Sequence, residues 1–184
     1  MKYLIATICL VLAGCGVAIT QKNESFEEPH KLESITVVMH TEPSQRYSVK
    51  KYSVSTVPLV NDANRQSADV ITSALLKSAD ATVAKTVQAK LAEKGVSAGD
   101  AYQLKIAFSK IEISVQGDGA LLKVDPKLNI EVTATLLRKS DGRLLWYSSF
   151  RRPNGSTSPE ALEKVGGDVA IAVADLFLNS GWAK

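Results

Sequence analysis

Leu128-Asn129-Ile130-Glu131-Val132-Thr133-Ala134-Thr135-Leu136 decides the fold class of this 184-residue chain. Apolar side chains fill every second position, with Asn129, Glu131, Thr133 and Thr135 between them, which is the period of a strand with one face buried and the other in water. Such a strand needs neighbours, and the flanking sequence supplies them. Upstream, Tyr102, Leu104, Ile106 and Phe108 alternate in the same way. Ile111, Ile113 and Val115 then continue on the opposite parity, which predicts a bulge near Ser109-Lys110. Gln116-Gly117-Asp118-Gly119 reads as a turn, followed by Leu121, Leu122 and Val124 as far as Pro126. Downstream, Ser140-Asp141-Gly142 reads as a hairpin turn leading into residues 143–150, where Leu144, Trp146 and Phe150 share a face. Trp146 is therefore expected in the core rather than on a binding surface.

Two helical patterns frame this meander. Ile71, Leu75, Ala79, Val83, Val87 and Leu91 recur every four residues, widened by Ala68, Ala74 and Ala84, and Lys94-Gly95 supplies a cationic last turn and a left-handed stop. Asn61, Asp62 or Asp80 can cap the start, and the continuous stripe favours one long helix. In the second pattern, Leu162, Val165, Val169, Ala172, Val173, Leu176 and Phe177 follow a start signal. That signal is either a capping box from Thr157 to Glu160 or Ser158 as cap with Pro159 in the first turn. Gly166-Gly167 interrupts it, marking a kink or a close approach to the sheet. Before the first helix, residues 35–39 read as a short strand and residues 47–60 as a second. The parity changes between Tyr52, Val54 and Val57, Leu59.

The element order predicts an α+β fold: a mostly antiparallel sheet of about four to five strands with two helices packed on one face. Three stretches carry a resemblance: Lys90-Leu91-Ala92-Glu93-Lys94-Gly95, Tyr102-Gln103-Leu104-Lys105-Ile106 and Asp141-Gly142-Arg143-Leu144-Leu145-Trp146. In plan and in these motifs the domain resembles small periplasmic lipoprotein domains. Among them are the periplasmic domain of the curli secretion channel, the amino-terminal domain of TolB and the lipoprotein activators of penicillin-binding proteins. The resemblance covers topology and loose motifs and imports no binding residues.

The amino terminus bears on location. Lys2, a short apolar run over residues 4–11 and then Leu12-Ala13-Gly14-Cys15 resemble a bacterial lipoprotein signal peptide with its lipobox, and the run is too short to span a bilayer. The resemblance implies cleavage before Cys15 and acylation of its thiol, with Gly16 after it favouring the outer membrane, the domain facing the periplasm. Residues 1–14 are then signal, residues 15–31 a lipidated cysteine and flexible tether rich in polar residues, and residues 32–184 a single domain. Two or three acyl chains anchor durably where one binds only marginally. Cys9 leaves with the signal, so no disulfide is expected.

Of 22 basic residues, removal of Lys2 leaves 21 against 19 acidic ones, a net charge of about +2 with mixed signs. That balance does not ask for nucleic acid. The two histidines, His30 and His40, leave a catalytic triad or a Cys/His metal site without parts, and no phosphate-binding or nucleophile-elbow motif occurs. Neither cofactor, metal nor enzymatic activity is expected. The expected role is a non-catalytic interaction or accessory module, anchored through Cys15 and partnered by an envelope protein; the alternative is a lipid or glycolipid handler. Candidate contacts are the edge strand over residues 35–39 at Val37 and the loop over residues 151–158 with Arg151 and Arg152. Lys50-Lys51 and Arg151-Arg152 are basic doublets able to touch anionic headgroups. Cys15→Ala is expected to shift the protein from the membrane fraction to the soluble periplasm or to leave an uncleaved precursor. Continued acyl labelling of the variant would refute acylation at this cysteine.

Overall fold

The alternation over residues 128–136 is the middle of a much longer strand. The computed structural model describes residues 19–40, 47–51, 58–118 and 121–183. Its elements are β1 (Ile19–Ser25), β2 (Thr36–His40), β3 (Tyr47–Lys51), α1 (Pro58–Glu93), β4 (Tyr102–Asp118), β5 (Leu121–Arg138), β6 (Leu144–Ser156) and α2 (Pro159–Leu178). β5 runs straight through Pro126, which pairs with Val115 beyond the end of the β5–β6 ladder at Lys127. Among the described residues β5 has a neighbour on one side only there, the setting in which a strand tolerates proline. The bulge predicted near Ser109-Lys110 is present as a register shift between Phe108 and Lys110.

The six strands form one sheet in the order β1-β6-β5-β4-β2, with β3 also on β4. β1, β6, β5 and β4 each run antiparallel to the next, whereas β2 and β3 lie end to end along β4 and parallel to it. The sheet is thus mixed and larger than the four to five mostly antiparallel strands expected. The cause is α1, a crossover that lets strands before it pair in parallel with the strand after it. α1 is a single helix of 36 residues that begins at Pro58, so residues 58–60, read as strand from sequence, are its first turn.

Two further expectations change. The stretch expected to be a flexible tether contains β1, which is hydrogen-bonded to β6 from Ile19↔Arg151 to Ser25↔Trp146. Edge strands are often polar because one side faces water, and Gln21-Lys22-Asn23-Glu24-Ser25 therefore lacks the apolar alternation that reveals an inner strand. The segment after residue 150, expected to be a loop, is strand as far as Ser156. A register shift between Leu136 and Leu137 also leaves Leu145 fully buried beside Trp146, in place of Leu144.

One face of the sheet carries the core. Leu104, Ile106, Phe108, Ile111 and Ile113 of β4 join Leu128, Ile130, Val132, Ala134 and Leu136 of β5 beneath the α1 stripe from Ala68 to Leu91. α1 ends in a Schellman motif: the Val96 N–H donates to Leu91 O at 3.0 Å and the Gly95 N–H to Ala92 O at 2.9 Å, with Gly95 at φ +81°. Val96 and Leu91 are both fully buried, the apolar contact that accompanies this motif. Of the two start signals for α2, the structure uses Ser158, whose Oγ accepts from the Ala161 N–H at 3.3 Å, with Pro159 following.

α2 passes unbroken through its glycine pair, and the two glycines differ. A Cβ on Gly166 would lie 3.0 Å from the Ser78 carbonyl oxygen of α1, whereas one on Gly167 would meet nothing within 4 Å. The close approach is to the other helix, not to the sheet, and Ser78 Oγ donates to Glu163 O across it. Gly167→Ala is expected to stabilise the protein by about 0.5–1 kcal/mol through helix propensity. Gly166→Leu, which forces the helices apart, is expected to cost about 1–3 kcal/mol. Denaturant unfolding of the two variants checks the pair, and equal effects would refute the contact.

Candidate functional site

Both helices cover the same face of the sheet, and the opposite face is open among the described residues. Its side chains come from the alternate positions of the strands. One row crosses five of them: His40 on β2, Ala107 on β4, Thr133 on β5, Ser149 on β6 and Lys22 on β1. Small residues occupy the middle of this row and longer ones its flanks, so the face dips. A shallow concavity of about 370 Å³ results, lined by Lys105, Ala107, Ser109, Thr133 and Thr135.

The chemistry of the floor follows from its hydrogen bonds. Thr133 Oγ1 donates to Ala107 O, Thr135 Oγ1 to Lys105 O and Ser109 Oγ to Glu131 O, at 3.2–3.4 Å. With their protons spent on the neighbouring strand, these hydroxyls offer acceptor lone pairs and methyl groups to the groove. Lys105 supplies an ammonium at its lip. Such a surface can offer a ligand shape and hydrogen-bond acceptors, and among the described residues that line it no nucleophile is paired with a base.

Cys15 lies outside the described residues. Val37 is on β2, the edge of the sheet, as expected, but its N–H is turned away from β4 and donates to Gln88 Oε1 of α1 at 3.3 Å. That group is therefore not free for a partner strand. Arg151 and Arg152 point to opposite faces. Arg152 pairs with Asp168 of α2 at 2.8 Å and is mostly buried, while Arg151 is exposed on the open face opposite Ile19 and Glu131. Lys50 and Lys51 stand in β3 opposite Ser114 and Val115.

The sequence reading missed Asn23. Its Oδ1 accepts from Trp146 Nε1 at 2.7 Å, and so gives the fully buried indole, in place as expected, its acceptor. It missed Trp182 too, which is fully buried, donates from Nε1 to Ser25 Oγ and receives the Leu32 N–H at its carbonyl. A tryptophan so close to the carboxyl terminus belongs to no periodic segment, so pattern gives no hint of its burial.

Away from the open face, Glu27 clamps the β5–β6 hairpin, its two oxygens at 2.7 Å from Arg138 and 2.9 Å from Arg143. A hydrogen bond from Lys139 holds the Asp100 carboxyl below the usual carboxylate range. The Arg143 N–H does the same for Asp141. Asp100, Lys139, Asp141 and Arg143 are exposed, Glu27 and Arg138 part-buried, and together they tie loops to the hairpin. Among the described residues no group of three or more His, Cys, Asp or Glu is placed to hold a metal ion, and no helix is long and apolar enough to cross a membrane.

No family model matches the chain, and no curated protein matches it. Solved structures do. A PelC dodecamer from Paraburkholderia phytofirmans matches at TM-score 0.38 and 15% identity, covering 92% of this chain and 99% of that one. Protein XCC0632 from Xanthomonas campestris, of family DUF330, matches at TM-score 0.36 and 24% identity over 54% of this chain and 60% of its own. A putative neuraminyllactose-binding hemagglutinin homolog from Helicobacter pylori matches at TM-score 0.34 and 7% identity over 84% and 91%. Scores and identities this low assign neither family nor function to the chain.

The edge at Val37 yields a test. Val37→Pro is expected to cost about 1 kcal/mol in thermal unfolding, the worth of the Gln88 bond, with the ladder to β4 intact. Gln88→Ala on that background should then cost less than it does alone. Full additivity would show that Gln88 does not cap the edge.

Proposed function

We propose that this chain is an outer-membrane lipoprotein, acylated on Cys15 with its domain facing the periplasm, that serves without catalysis as an interaction or accessory module. The machine it serves is one of envelope assembly, secretion or the cell wall. The observation that carries this reading is the one-sided packing: with both helices on one face, the sheet offers its other face, a dipped surface of hydroxyls, methyls and an ammonium, to a partner. The Leu12-Ala13-Gly14-Cys15 lipobox supports the anchor and the location. A lipid or glycolipid handler would need an apolar groove between helix and sheet. Here Leu75, Val83, Val87, Leu104 and Ile106 fill that space with no exposure, and the concavity is on the opposite, polar face.

The test is a photo-crosslinking side chain placed at Thr133, on the floor of the concavity, or at Lys85, exposed on α1, in cells whose Cys15 acylation is followed in parallel. Crosslinks to a defined envelope protein from position 133 and not from 85 are expected. A lipid or glycolipid adduct at 133 would instead establish the handler. Equal crosslinking from both positions would remove the open face as the contact surface.

A further inference from the structure

We propose that the edge strand β1 lies against the headgroup layer of the membrane, with Arg151 and Lys22 touching anionic lipid phosphates. The proposal rests on the acylation of Cys15. β1 begins at Ile19, so Gly16, Val17 and Ala18 alone separate the anchor from the sheet. Four residue steps reach at most about 14 Å, which holds the start of β1 at the membrane surface.

The rest of the sheet selects the orientation. β4 continues from Ile111 to Asp118, past the row in which Lys110, Glu131, Arg151 and Ile19 face one another. Those eight residues extend about 26 Å, farther than the anchor segment, so a sheet standing on that end would drive the β4–β5 hairpin into the bilayer. Laying the sheet on its β1 edge removes the conflict. Among the described residues the outward side of β1 has no strand partner, and hydrated phosphates satisfy the backbone N–H groups exposed there. Charge agrees: Arg151, one strand in from the edge, is exposed and has no carboxylate partner among the described residues, and Lys22 is exposed on β1 itself, shared with Glu24 at 2.9 Å. Arg152 takes no part, being held by Asp168.

One row of the sheet provides the test. Glu24, Tyr147, Thr135, Lys105 and Val38 are in register across five strands, so Glu24 and Val38 share a position along the strands and differ in distance from the β1 edge by about 19 Å. Acylated full-length protein carrying Glu24→Cys or Val38→Cys, labelled with an environment-sensitive fluorophore, is incorporated into vesicles of phosphatidylcholine and phosphatidylglycerol containing headgroup-proximal quencher. Quenching at position 24 and its loss at position 38 are expected. Arg151→Glu should weaken quenching at 24 when phosphatidylglycerol is present and leave it unchanged in phosphatidylcholine alone. Equal quenching at both positions, or indifference to Arg151→Glu, overturns the docking. Acyl analysis of the same sample separates the two readings, since an unmodified Cys15 overturns the anchor and the docking together, whereas an acylated chain with equal quenching overturns the docking alone.

Discussion

A buried indole N–H must find an acceptor, because leaving it unpaired in a core costs about 1–3 kcal/mol. Trp146 lies fully buried, edge-on to Phe177 with ring centroids 5.4 Å apart, and its N–H reaches an acceptor only if Asn23 is brought to the sheet. Trp182 makes the same demand of Ser25, and its carbonyl takes the Leu32 N–H. Two tryptophans distant in sequence thus pull one polar stretch onto the fold. β1 closes the sheet beyond β6, and the chain then bridges Leu32 to Ala183 after α2 and Ser34 to Ser97 after α1, with Leu32 and Ile35 in the core. A segment with the composition of a spacer becomes structure through its ladder to β6 and the hydrogen bonds that Asn23 and Ser25 accept from two buried indoles, with little apolar burial of its own before Leu32.

The long periodic elements were legible in the sequence because many residues repeat the same signal. The α1 stripe, the meander, the bulge after Phe108 and the burial of Trp146 were all readable from spacing. What escaped it has physical reasons in particular residues. β1 is polar because it is an edge, and β2 and β3 are five residues each, too short for alternation to show that they run parallel to β4. The parallel pairing is a consequence of the α1 crossover and belongs to no single strand. Of the candidate contacts, Arg151 and Arg152 are adjacent and chemically alike. Strand geometry sends them to opposite faces, one to water and one to Asp168, a distinction that a basic doublet does not carry.

The two edges of the sheet are protected in different ways. β2 is short, and the N–H of Val37 is capped by the Gln88 side chain from α1, so a helix guards the strand from its inner face. β1 has only charged and polar side chains over Gln21 to Ser25, Lys22 and Glu24 paired with each other and Lys22 resting 5.5 Å from the Tyr147 ring centroid. Charge on an edge discourages strand addition but leaves the backbone groups in contact with solvent or polar headgroups. The same sheet therefore has one edge capped at Val37 by its own fold and one edge suited to a polar surface.

On the proposed anchoring, this asymmetry bears on how a shallow surface can bind. A concavity of about 370 Å³ lined by small polar side chains offers few of the buried aromatic or arginine anchors that dominate tight interfaces. In free solution most of its contact energy would be offset by lost translational and rotational freedom. A three-residue leash between acyl chains and β1 removes much of that freedom before the partner arrives, and it raises the effective concentration of the domain for anything held in the same membrane. With β1 toward the bilayer, the row from Lys22 through Ser149, Thr133 and Ala107 to His40 runs away from the headgroups, and the open face looks along the membrane surface. Partners in the same membrane then meet the concavity side-on, and modest contacts suffice where a long flexible tether would have required strong ones.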